Sequence, residues 1–368
     1  MTAGMIPMRI LTVTAGLGRG GSERAAQNFS TAYRALGQDV AVLVWKEDGF
    51  RQQQLEEAGI EVFNGVAGLD RALRAADMFK PDVIHIHRVG IPQATETSIL
   101  QRLRTTDRAV IETNIFGRVD VSDAAGLIDV HMHLSAWCLW RWRKWLGHAG
   151  PKQIGVIVPN PVDPDSFVPA DRQQVVRLRA RLGIPPDAYL CGRIGQRSGA
   201  NWHPKIFDAF SRLARLDRTA HLLLVGLPDA LRPPLRGLPD DVRKRVVEMD
   251  LTDQDADLSV AYSSLQCFIH AASFGESFGY VLTEAMLCGC PVVTASTPHV
   301  NNSHVEVVGH LDGGIVAGSI KALPDAVVAL WSEPALGERI RQTLRTHVLR
   351  RFDAQRVAAT ALEVATLA

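Results

Sequence analysis

Two glutamates eight positions apart, Glu276 and Glu284, are the residues of this sequence whose type and spacing most clearly suggest chemistry. Small residues surround Glu276, so a ligand can approach the backbone there. Backbone N–H groups at the start of a helix have no acceptor within the helix, and together they favour an anion such as phosphate. Glycines before the apolar run and the G-C-P sequence after it predict three elements: a loop at Phe274–Phe278, a helix at Gly279–Cys288 and a strand at Pro291–Ala295.

The spacing of these two carboxylates suits a nucleotide-linked sugar. At about 1.5 Å per helical residue, Glu276 and Glu284 would lie roughly 12 Å apart, about the distance from a hexose across a diphosphate to a ribose. Carboxylates accept hydrogen bonds from sugar hydroxyls. An arbitrary pair at this spacing would be interpreted as two solvated residues at the ends of a core helix. The surrounding pattern, G-E-S-F-G-x-V-x-x-E-A-M-x-x-G-x-P-V-V, makes that interpretation less favourable.

This segment resembles the E-x7-E signature of the retaining glycosyltransferases of the GT-B fold, in glycosyltransferase family 4, also called group 1. The resemblance implies that Glu276 lies at the donor sugar and that Glu284 holds the ribose hydroxyls. It also implies that the diphosphate binds to the backbone amides of Phe278, Gly279 and Tyr280. The fold it implies is an α/β fold with two Rossmann-like domains that face each other across a cleft.

A glycine-rich turn near the N-terminus follows the first predicted strand, Met8–Thr14. Ser22 is the predicted N-cap of the next helix, which leaves Gly20 and Gly21 open to the approach of a phosphate. The turn lacks the nucleotide-binding spacings G-x-G-x-x-G and G-x-x-x-x-G-K, and alone it is weak evidence. It matches the G-G-x-E-R turn of the same family, and this match implies that Gly20 and Gly21 contact the donor diphosphate.

Two further positions are compared with the family, and each departs from it in part. Relatives place a Gly-Arg pair at a strand end and a Lys shortly after it, and these cations stabilise the departing diphosphate. Arg193 matches, but the lysine position holds Asn201, so Arg197 is the predicted substitute. A His that many relatives place near the donor sugar is replaced by Asn114, whose amide can bond a hydroxyl but cannot carry a proton. The predicted catalytic residues are Glu276, Arg193 and Asn114, and the predicted donor-binding residues are Gly20, Gly21, Arg193, Arg197, Phe278, Gly279, Tyr280 and Glu284.

Two patterns that suggest a metal are better explained without one. His85 and His87 lie at period two on a predicted strand, but two ligands are too few for a site. Asp163-Pro164-Asp165 has the form D-x-D, yet it lies in a proline-rich segment that resembles an interdomain turn of the family. We therefore predict no metal and no cofactor, with a UDP- or GDP-sugar as the donor substrate.

The composition indicates a globular chain with balanced charge. Of 368 residues 46% are hydrophobic and 21% charged, and the net charge of +1 implies no bulk attraction to nucleic acid. The five cysteines have no metal spacing and are interpreted as buried free thiols in a reducing compartment. No stretch approaches the roughly 20 apolar residues that cross a bilayer, and Met1–Met8 is too short for a signal peptide, so the prediction is cytoplasmic.

A tryptophan-rich segment, Trp137–Leu146, carries four tryptophans beside three basic residues. As a helix it resembles an interfacial anchor that would contact the inner face of a membrane peripherally. The competing interpretation is a core helix with solvated basic side chains. Aromatic and basic positions share one helical stripe, so its faces are not cleanly separated and both interpretations stay open.

Strands alternate with predicted helices in both halves of the chain, which predicts doubly wound parallel sheets. Four prolines between positions 159 and 169 stiffen the chain and indicate an interdomain connection. The predicted division is an N-terminal Rossmann-like acceptor-binding domain at 1–158, a linker at 159–170, a C-terminal nucleotide-sugar-binding domain at 171–350, and a last helix at 351–368 that the resemblance places back on the first domain.

The predicted function is transfer of a sugar from a nucleoside diphosphate sugar to an acceptor hydroxyl, with retention at the anomeric carbon and without a metal. The acceptor is a sugar, a lipid-linked molecule or a small molecule, in surface polysaccharide, glycolipid or glycoconjugate synthesis. Asn114 and Asn201 motivate an alternative, a catalytically weakened subunit or regulator that binds a nucleotide sugar. A phosphorylase or an epimerase on the same fold is less favoured, because neither a cofactor lysine nor an epimerase pattern stands out.

Overall fold

The structure is a computed structural model that describes residues 7–147, 153–252 and 254–368. The chain divides into two compact units. Unit 1 contains the residues up to Val162 together with Phe352–Ala368, and unit 2 is Asp163–Arg351. Most of the segment Met1–Met8, for which no targeting signal was predicted, lies outside the described residues.

Unit 1 is built on a seven-stranded parallel sheet with the order β3-β2-β1-β4-β5-β6-β7. Because all strands are parallel, their carboxyl ends lie along one edge, where ligands bind in sheets of this type. Its strands are β1 (Arg9–Gly16), β2 (Asp39–Glu47), β3 (Glu61–Asn64), β4 (Val83–Arg88), β5 (Ala109–Asn114), β6 (Val130–His133) and β7 (Ile154–Ile157).

Helices cover both faces of this sheet, as the alternation of strands and helices requires. One face packs a core around Phe29 and Tyr33, and the other a core around Ile84 and Leu100. The helices that connect the strands are α1 (Gly21–Ala35), α2 (Phe50–Glu57), α3 (Leu69–Phe79), α4 (Ala94–Leu103) and α5 (Ala136–Leu146), with a short 3-10 helix at Asp123–Leu127.

Unit 2 has a six-stranded parallel sheet with the order β10-β9-β8-β11-β13-β15 and a separate pair of two-residue strands, β12 and β14. Its strands are β8 (Leu190–Ile194), β9 (His221–Val225), β10 (Val246–Met249), β11 (Cys267–Ile269), β12 (Gly275–Glu276), β13 (Val292–Ala295), β14 (Asn301–Asn302) and β15 (Gly314–Ala317). Its α-helices are α6 (Arg172–Arg181), α7 (Lys205–Leu216), α8 (Arg232–Arg236), α9 (Asp240–Arg243), α10 (Asp255–Ser263), α11 (Tyr280–Leu287), α12 (Ser303–Val308), α13 (Leu323–Ser332) and α14 (Pro334–Phe352), and 3-10 turns lie at Gly199–Asn201, Asp229–Leu231 and Ile320–Ala322.

The last helix, α15 (Ala354–Ala365), packs in unit 1 against α1. Its side chains at Val357, Ala361 and Leu362 are buried in the same core as Phe29. The backbone N–H of Val162 donates to the carbonyl of Phe352 over 2.7 Å. The two parts of the chain that form unit 1 are therefore hydrogen-bonded where they meet.

The structure corrects one sequence prediction and adds one strand that was missed. Ser22 is not the N-cap of α1, because the helix begins at Gly21 and Gly20 occupies the cap position. The strand β6 was not predicted, since Val130–His133 is short and alternates apolar residues with two histidines.

All five cysteines are buried and free. No helix in the described ranges combines the length and the apolar character that a bilayer span requires.

Candidate functional site

The segment that carries Glu276 is held by backbone pairing. β12 pairs in parallel with β14, so Glu276 is aligned with Asn302 and Gly275 with Asn301. Gly275 has a φ of +61°, and a Cβ there would lie 1.8 Å from the carbonyl oxygen of Asn301. Only glycine fits so close to that carbonyl. The backbone next to Glu276 is therefore fixed by a contact that no other residue type would permit.

The helix α11 begins directly after this segment. Gly279 is its N-cap, with a left-handed φ of +84° and ψ of 77°, and no side chain of this residue caps the helix. Phe278 is buried, and its ring makes an edge contact with Tyr280 at a centroid distance of 5.1 Å. A helix start concentrates backbone N–H groups and positive potential. The predicted anion-binding turn is thus formed as a helix N-terminus with a glycine at the bend.

The Glu276 carboxylate is half-buried beside two histidines and an arginine. Its Oε1 lies 3.5 Å from His270 Nε2. Burial raises the pKa of Glu276, and the charges of Arg193 and His304 oppose that rise. His270 itself is buried, and burial together with the nearby charges of Arg193 and His304 places its pKa well below the ordinary value. The ring of His270 is therefore neutral at physiological pH.

Arg193 lies on β8, next to the last residue of the strand, and is buried. Its Nη1 donates to the carbonyl of Ile194 over 2.9 Å and its Nη2 to the carbonyl of Asn201 over 2.6 Å. The guanidinium also lies over the ring of Trp202, 5.1 Å from the centroid. Burial lowers the pKa of Arg193 to about 10, with Glu276 acting in the opposite direction. Arg193 is thus a cation at neutral pH, and it also fixes the loop that follows β8.

Glu284 lies on α11 and is almost fully buried. The hydroxyl of Tyr262, on α10, donates to Glu284 Oε2 over 2.9 Å. Burial and the Glu284 carboxylate together raise the pKa of Tyr262 well above its ordinary value, so its proton stays in place as a donor. The second glutamate of the motif is therefore oriented from a neighbouring helix.

The predicted cation Arg197 and the nearby Lys205 are both paired within the chain. Arg197 forms an ion pair with Asp250, and both side chains are exposed. Lys205, which flanks the position held by Asn201, forms an ion pair with Asp208 at 2.8 Å. Asn201 contributes its carbonyl to Arg193. Arg197 is thus held at the surface by Asp250.

The glycine turn of unit 1 has a carboxylate beside it. A Cβ on Gly20 would lie 1.9 Å from Glu23 Oε2, so the Glu23 side chain folds back over this glycine. Ser22 donates its hydroxyl hydrogen to the same Oε2 over 2.8 Å. A carboxylate at a helix N-terminus is stabilised by the helix dipole. It also repels a phosphate, so binding of an anion at Gly20 and Gly21 requires Glu23 to move or to be compensated.

Asn114 lies at the carboxyl end of β5 and is buried. Its Nδ2 donates to the carbonyl of Arg118 over 2.8 Å, and its Oδ1 accepts from the N–H of the same residue over 3.1 Å. Both ends of the amide are thus used by one backbone position, four residues along the chain. In this structure Asn114 closes the loop after β5.

A buried charge network lies on the same face of the sheet. Arg88 is fully buried and contacts three carboxylates: Glu96 at 2.7 Å, Glu112 at 3.5 Å, and Asp120. His131, on β6, extends the network through its contact with Glu112. Buried ions are tolerated only when they are paired, so these groups depend on one another.

The H-x-H pair of β4 faces α1. His85 Nε2 lies 2.8 Å from Thr113 Oγ1, and His85 Nδ1 lies 3.0 Å from the Tyr33 hydroxyl. His87 stacks on His85 at a centroid distance of 4.4 Å and also contacts Phe29. Among the described residues, no group of three or more His, Cys, Asp or Glu converges as a metal site.

The predicted tryptophan-rich helix is α5, and its aromatic residues are divided between core and surface. Trp142 is buried against His131 and His133. Trp140 and Trp145 are 56% and 58% exposed. Arg141 lies over the Trp145 ring at 4.8 Å and Lys144 over the Trp140 ring at 5.0 Å. One side of α5 thus belongs to the core, while the other carries paired tryptophans and cations.

Sequence analysis missed three residues that surround or support Glu276 in unit 2: His270, Thr294 and His304. His270 follows β11, Thr294 lies near the end of β13, and His304 is on α12. Polar residues at the carboxyl ends of predicted parallel strands were the signal that could have found the first two. His304 lies on α12, and no local pattern in the sequence indicates its proximity to Glu276.

Solved structures that match nearly the whole chain establish its fold class. Anabaena Alr3699/HepE, in complex with UDP-glucose, aligns with a TM-score of 0.73 at 18% identity and covers 98% of this chain and 99% of its own. WaaG, a glycosyltransferase involved in lipopolysaccharide biosynthesis, aligns with a TM-score of 0.68 at 16% identity, covering 97% and 99%. The chain therefore has the GT-B fold of these glycosyltransferases, and the predicted fold class is confirmed.

The sequence comparisons relate the chain to one family of glycosyltransferases. The model described as glycosyl transferases group 1 matches residues 185–333. A D-inositol 3-phosphate glycosyltransferase of Mycolicibacterium vanbaalenii is 31% identical over 186 residues, which cover 47% of this chain and 39% of the relative. The phosphatidyl-myo-inositol mannosyltransferase of Mycobacterium leprae is 28% identical over 306 residues, covering 77% and 72%. The resemblance to the group 1 glycosyltransferases is thus supported over residues 185–333, and the chain spans less than half the length of the first of these relatives.

Proposed function

We propose that this protein transfers a sugar from a nucleoside diphosphate sugar to an acceptor hydroxyl, with retention at the anomeric carbon. The observation that carries the proposal is the anchoring of two glutamates on either side of one helix start. Glu276 is fixed by the β12–β14 pairing and Glu284 by the Tyr262 hydroxyl. Anchored carboxylates are suited to the hydroxyls of a donor, because their orientation is set before the ligand arrives.

In the proposed reaction, negative charge builds on the diphosphate as the glycosidic bond to the donor breaks. Arg193 and the backbone amides of Phe278, Gly279 and Tyr280 would stabilise that charge. Glu276 would hold the transferred sugar and Glu284 the ribose. We assign no protein group as the base, since the leaving phosphate can take the proton of the acceptor hydroxyl on the same face. The proposed step uses no metal, and addition of a chelator during turnover tests this.

The donor is proposed to be a UDP- or GDP-sugar, because the aligned HepE structure is a complex with UDP-glucose. The proposed acceptors are a sugar, a lipid-linked molecule or a small polyol. The matched mannosyltransferase and inositol phosphate glycosyltransferases support the polyol and lipid classes. A thermal-shift screen over UDP-, GDP- and dTDP-sugars identifies the donor, since a ligand at 100 times its Kd adds about 2.7 kcal/mol of stability.

Transfer itself is tested with the donor that the screen selects and with inositol phosphate and phosphatidylinositol as acceptors. We expect Glu276→Gln to lower kcat while leaving nucleotide binding intact, and Glu284→Gln to weaken nucleotide binding. Matched controls are Glu56→Gln and Glu57→Gln, exposed positions on α2 of unit 1. Full turnover by the double variant E276Q/E284Q would refute the proposal. The anomeric configuration of the product, read by NMR, decides between retention and inversion.

A second candidate is a weakened member of the family that binds a nucleotide sugar as a subunit or regulator. The observations that favour it are the internal pairing of Arg197 with Asp250 and of Lys205 with Asp208, and the use of the Asn114 amide within its own loop. Binding of a labelled nucleotide sugar without hydrolysis or transfer to any acceptor would select this candidate. Turnover would exclude it.

A cytoplasmic location and contact with the inner face of a membrane are proposed on the basis of α5. Trp140 and Trp145 are exposed beside Lys144 and Arg141, and such pairs suit the headgroup layer of an anionic bilayer. Cosedimentation with phosphatidylglycerol vesicles should fall in the variant W140S/W145S. Vesicles of phosphatidylcholine alone serve as the control. Equal sedimentation of the parent protein and of W140S/W145S with phosphatidylglycerol vesicles would exclude this contact.

A further inference from the structure

The position of His270 links the Glu276 carboxylate to the core of unit 2. The backbone N–H of His270 donates to the carbonyl of Val293 over 2.8 Å, so the residue is fixed at the edge of the sheet between β11 and β13. Its side chain is buried. On one side, Nδ1 lies 3.1 Å from Thr294 Oγ1, and on the other, Nε2 lies 3.5 Å from Glu276 Oε1. The ring therefore connects a core hydroxyl to the first glutamate of the motif.

The hydrogen-bonding roles along this connection follow from the chemistry of its three groups. A neutral imidazole carries a proton on one nitrogen only. A carboxylate accepts and does not donate, so contact with Glu276 requires the proton on Nε2. Nδ1 must then accept, and the Thr294 hydroxyl is able to donate to it. The direction is thus Thr294 O–H to Nδ1, and Nε2–H to Glu276 Oε1.

The surrounding charges favour this single arrangement. Arg193 and His304 are the other titratable groups whose charges act on His270. Both disfavour the imidazolium form, in which both ring nitrogens carry a proton. The Nε2 of His304 donates to the carbonyl of Ala295 over 2.8 Å, so that nitrogen is not available to the Glu276 carboxylate. Among the described residues Nε2 of His270 has no conventional hydrogen-bond partner, and the Glu276 carboxylate is its nearest ionic contact. A contact of 3.5 Å can shorten when a ligand draws the loop in.

We propose that His270, oriented by Thr294, is the positioning residue that fixes the rotamer of Glu276, so that Oε1 is held by the ring and Oε2 is presented to the transferred sugar. This inference rests on the proposed function, since it assigns a purpose to the orientation of Glu276. The same pairing of a histidine with a threonine occurs in unit 1 at His85 and Thr113, where Tyr33 takes the place of a carboxylate. His85 and Thr113 therefore serve as a control pair for His270 and Thr294.

Kinetics test the role with three variants. H270L removes both ring contacts and should lower kcat about 100-fold, because a misplaced catalytic group costs that much, with the donor KM changed less than about threefold. H270Q supplies an amide donor near the Nε2 position, so its kcat should be at least tenfold higher than that of H270L. T294V should fall between H270L and the parent. The matched variants H85Q and T113V remove the equivalent groups of unit 1 and control for loss of a buried pair.

Nuclear magnetic resonance provides a readout that does not depend on turnover. In protein labelled with ¹⁵N-histidine, His270 should show the neutral tautomer with the proton on Nε2. E276Q should shift the Nε2 resonance of His270, while the resonances of His85 should stay unchanged. A proton on Nδ1, or a Nε2 resonance that ignores E276Q, would overturn the inference even if the protein is an active transferase. A parent protein that neither binds a donor nor transfers a sugar would instead refute the proposed function. The tautomer of His270 would still show whether its ring contacts Glu276.

Discussion

Tyr262 and Glu284 are joined by a hydrogen bond of 2.9 Å between two helices, so the orientation of the second motif glutamate is set from α10. Both side chains are buried. The sequence gives no sign of this pairing, since the two residues belong to different elements. Much of the candidate site is arranged in this way, with the motif residue on one element and its support on another.

Removal of the Tyr262 hydroxyl should weaken nucleotide binding. Tyr262→Phe leaves the buried Glu284 without this donor, and a hydrogen bond to a charged group contributes about 1.5–3 kcal/mol. We expect the Kd for the nucleoside diphosphate, measured by calorimetry, to rise at least tenfold. Tyr33→Phe removes a buried tyrosine hydroxyl from unit 1 and is the control. Equal effects of both variants would contradict a specific role for Tyr262.

A methyl group at Gly275 should disrupt the site without a large effect elsewhere. Gly275→Ala places Cβ 1.8 Å from the Asn301 carbonyl oxygen, so β12 and β14 must separate. Gly289→Ala is the matched control, because Gly289 has a similar positive φ of +80° but open space around it. Both variants carry backbone strain of about 1 kcal/mol. Only G275A should abolish transfer, measured as turnover at saturating donor. Retention of turnover in G275A would show that this pairing is not needed.

Breaking the buried network of unit 1 should be costly. Arg88→Met leaves the carboxylates of Glu96, Glu112 and Asp120 buried without their common cation. Such a loss typically costs 3–5 kcal/mol of folding free energy, about ten times the value of an exposed pair. Hydrogen exchange of the β5 and β6 amides measures the loss in unit 1. The exposed ion pair of Arg232 with Glu248 in unit 2 provides the control variant R232M.

Unit 1 should lose stability in mild acid through two buried histidines. Burial lowers the pKa of His87 and of His133 to about 3, whereas the unfolded chain binds a proton near the ordinary value of 6.5. Between these values the unfolded state holds more protons, so the free energy of unfolding falls as the pH falls from about 6.5 towards 3. At pH 5 each histidine should account for about 2 kcal/mol.

The variants H87L and H133L test this pH dependence. Neither ring forms a hydrogen bond within the described residues, so the substitutions break no hydrogen bond. We expect the difference in unfolding free energy between pH 7.5 and pH 5, measured by hydrogen exchange in β4 and β6, to shrink by about 2 kcal/mol in each variant. An unchanged slope in H87L and H133L would contradict the assignment.

The strands and glycines were predictable because their signals are local. Apolar runs bounded by breakers located β1 and β13 to within a few residues, and the motif located α11. The supports of the motif were not predictable. His270 contacts both Thr294 and Glu276, and these contacts depend on the pairing of β11 with β13 and on the path of the loop that carries β12.

The partners of the predicted cations could not be predicted either, because they also depend on tertiary contacts. Arg193 was correctly expected at the end of β8, but its bond to the Asn201 carbonyl depends on how the following loop turns back. Arg197 was predicted as a substitute cation, and its pairing with Asp250 joins the ends of β8 and β10, which lie far apart in the sequence. Side-chain types indicate which groups could bind an anion, while tertiary contacts decide which of them are already engaged.

The route of the chain also affects the order in which the protein can be made. The helix α15 supplies Val357, Ala361 and Leu362 to the core of unit 1, yet it follows the whole of unit 2 in the chain. A ribosome therefore releases every residue of unit 2 before the helix that completes unit 1 exists. Until then, the part of α1 that packs against α15 stays uncovered on the nascent chain.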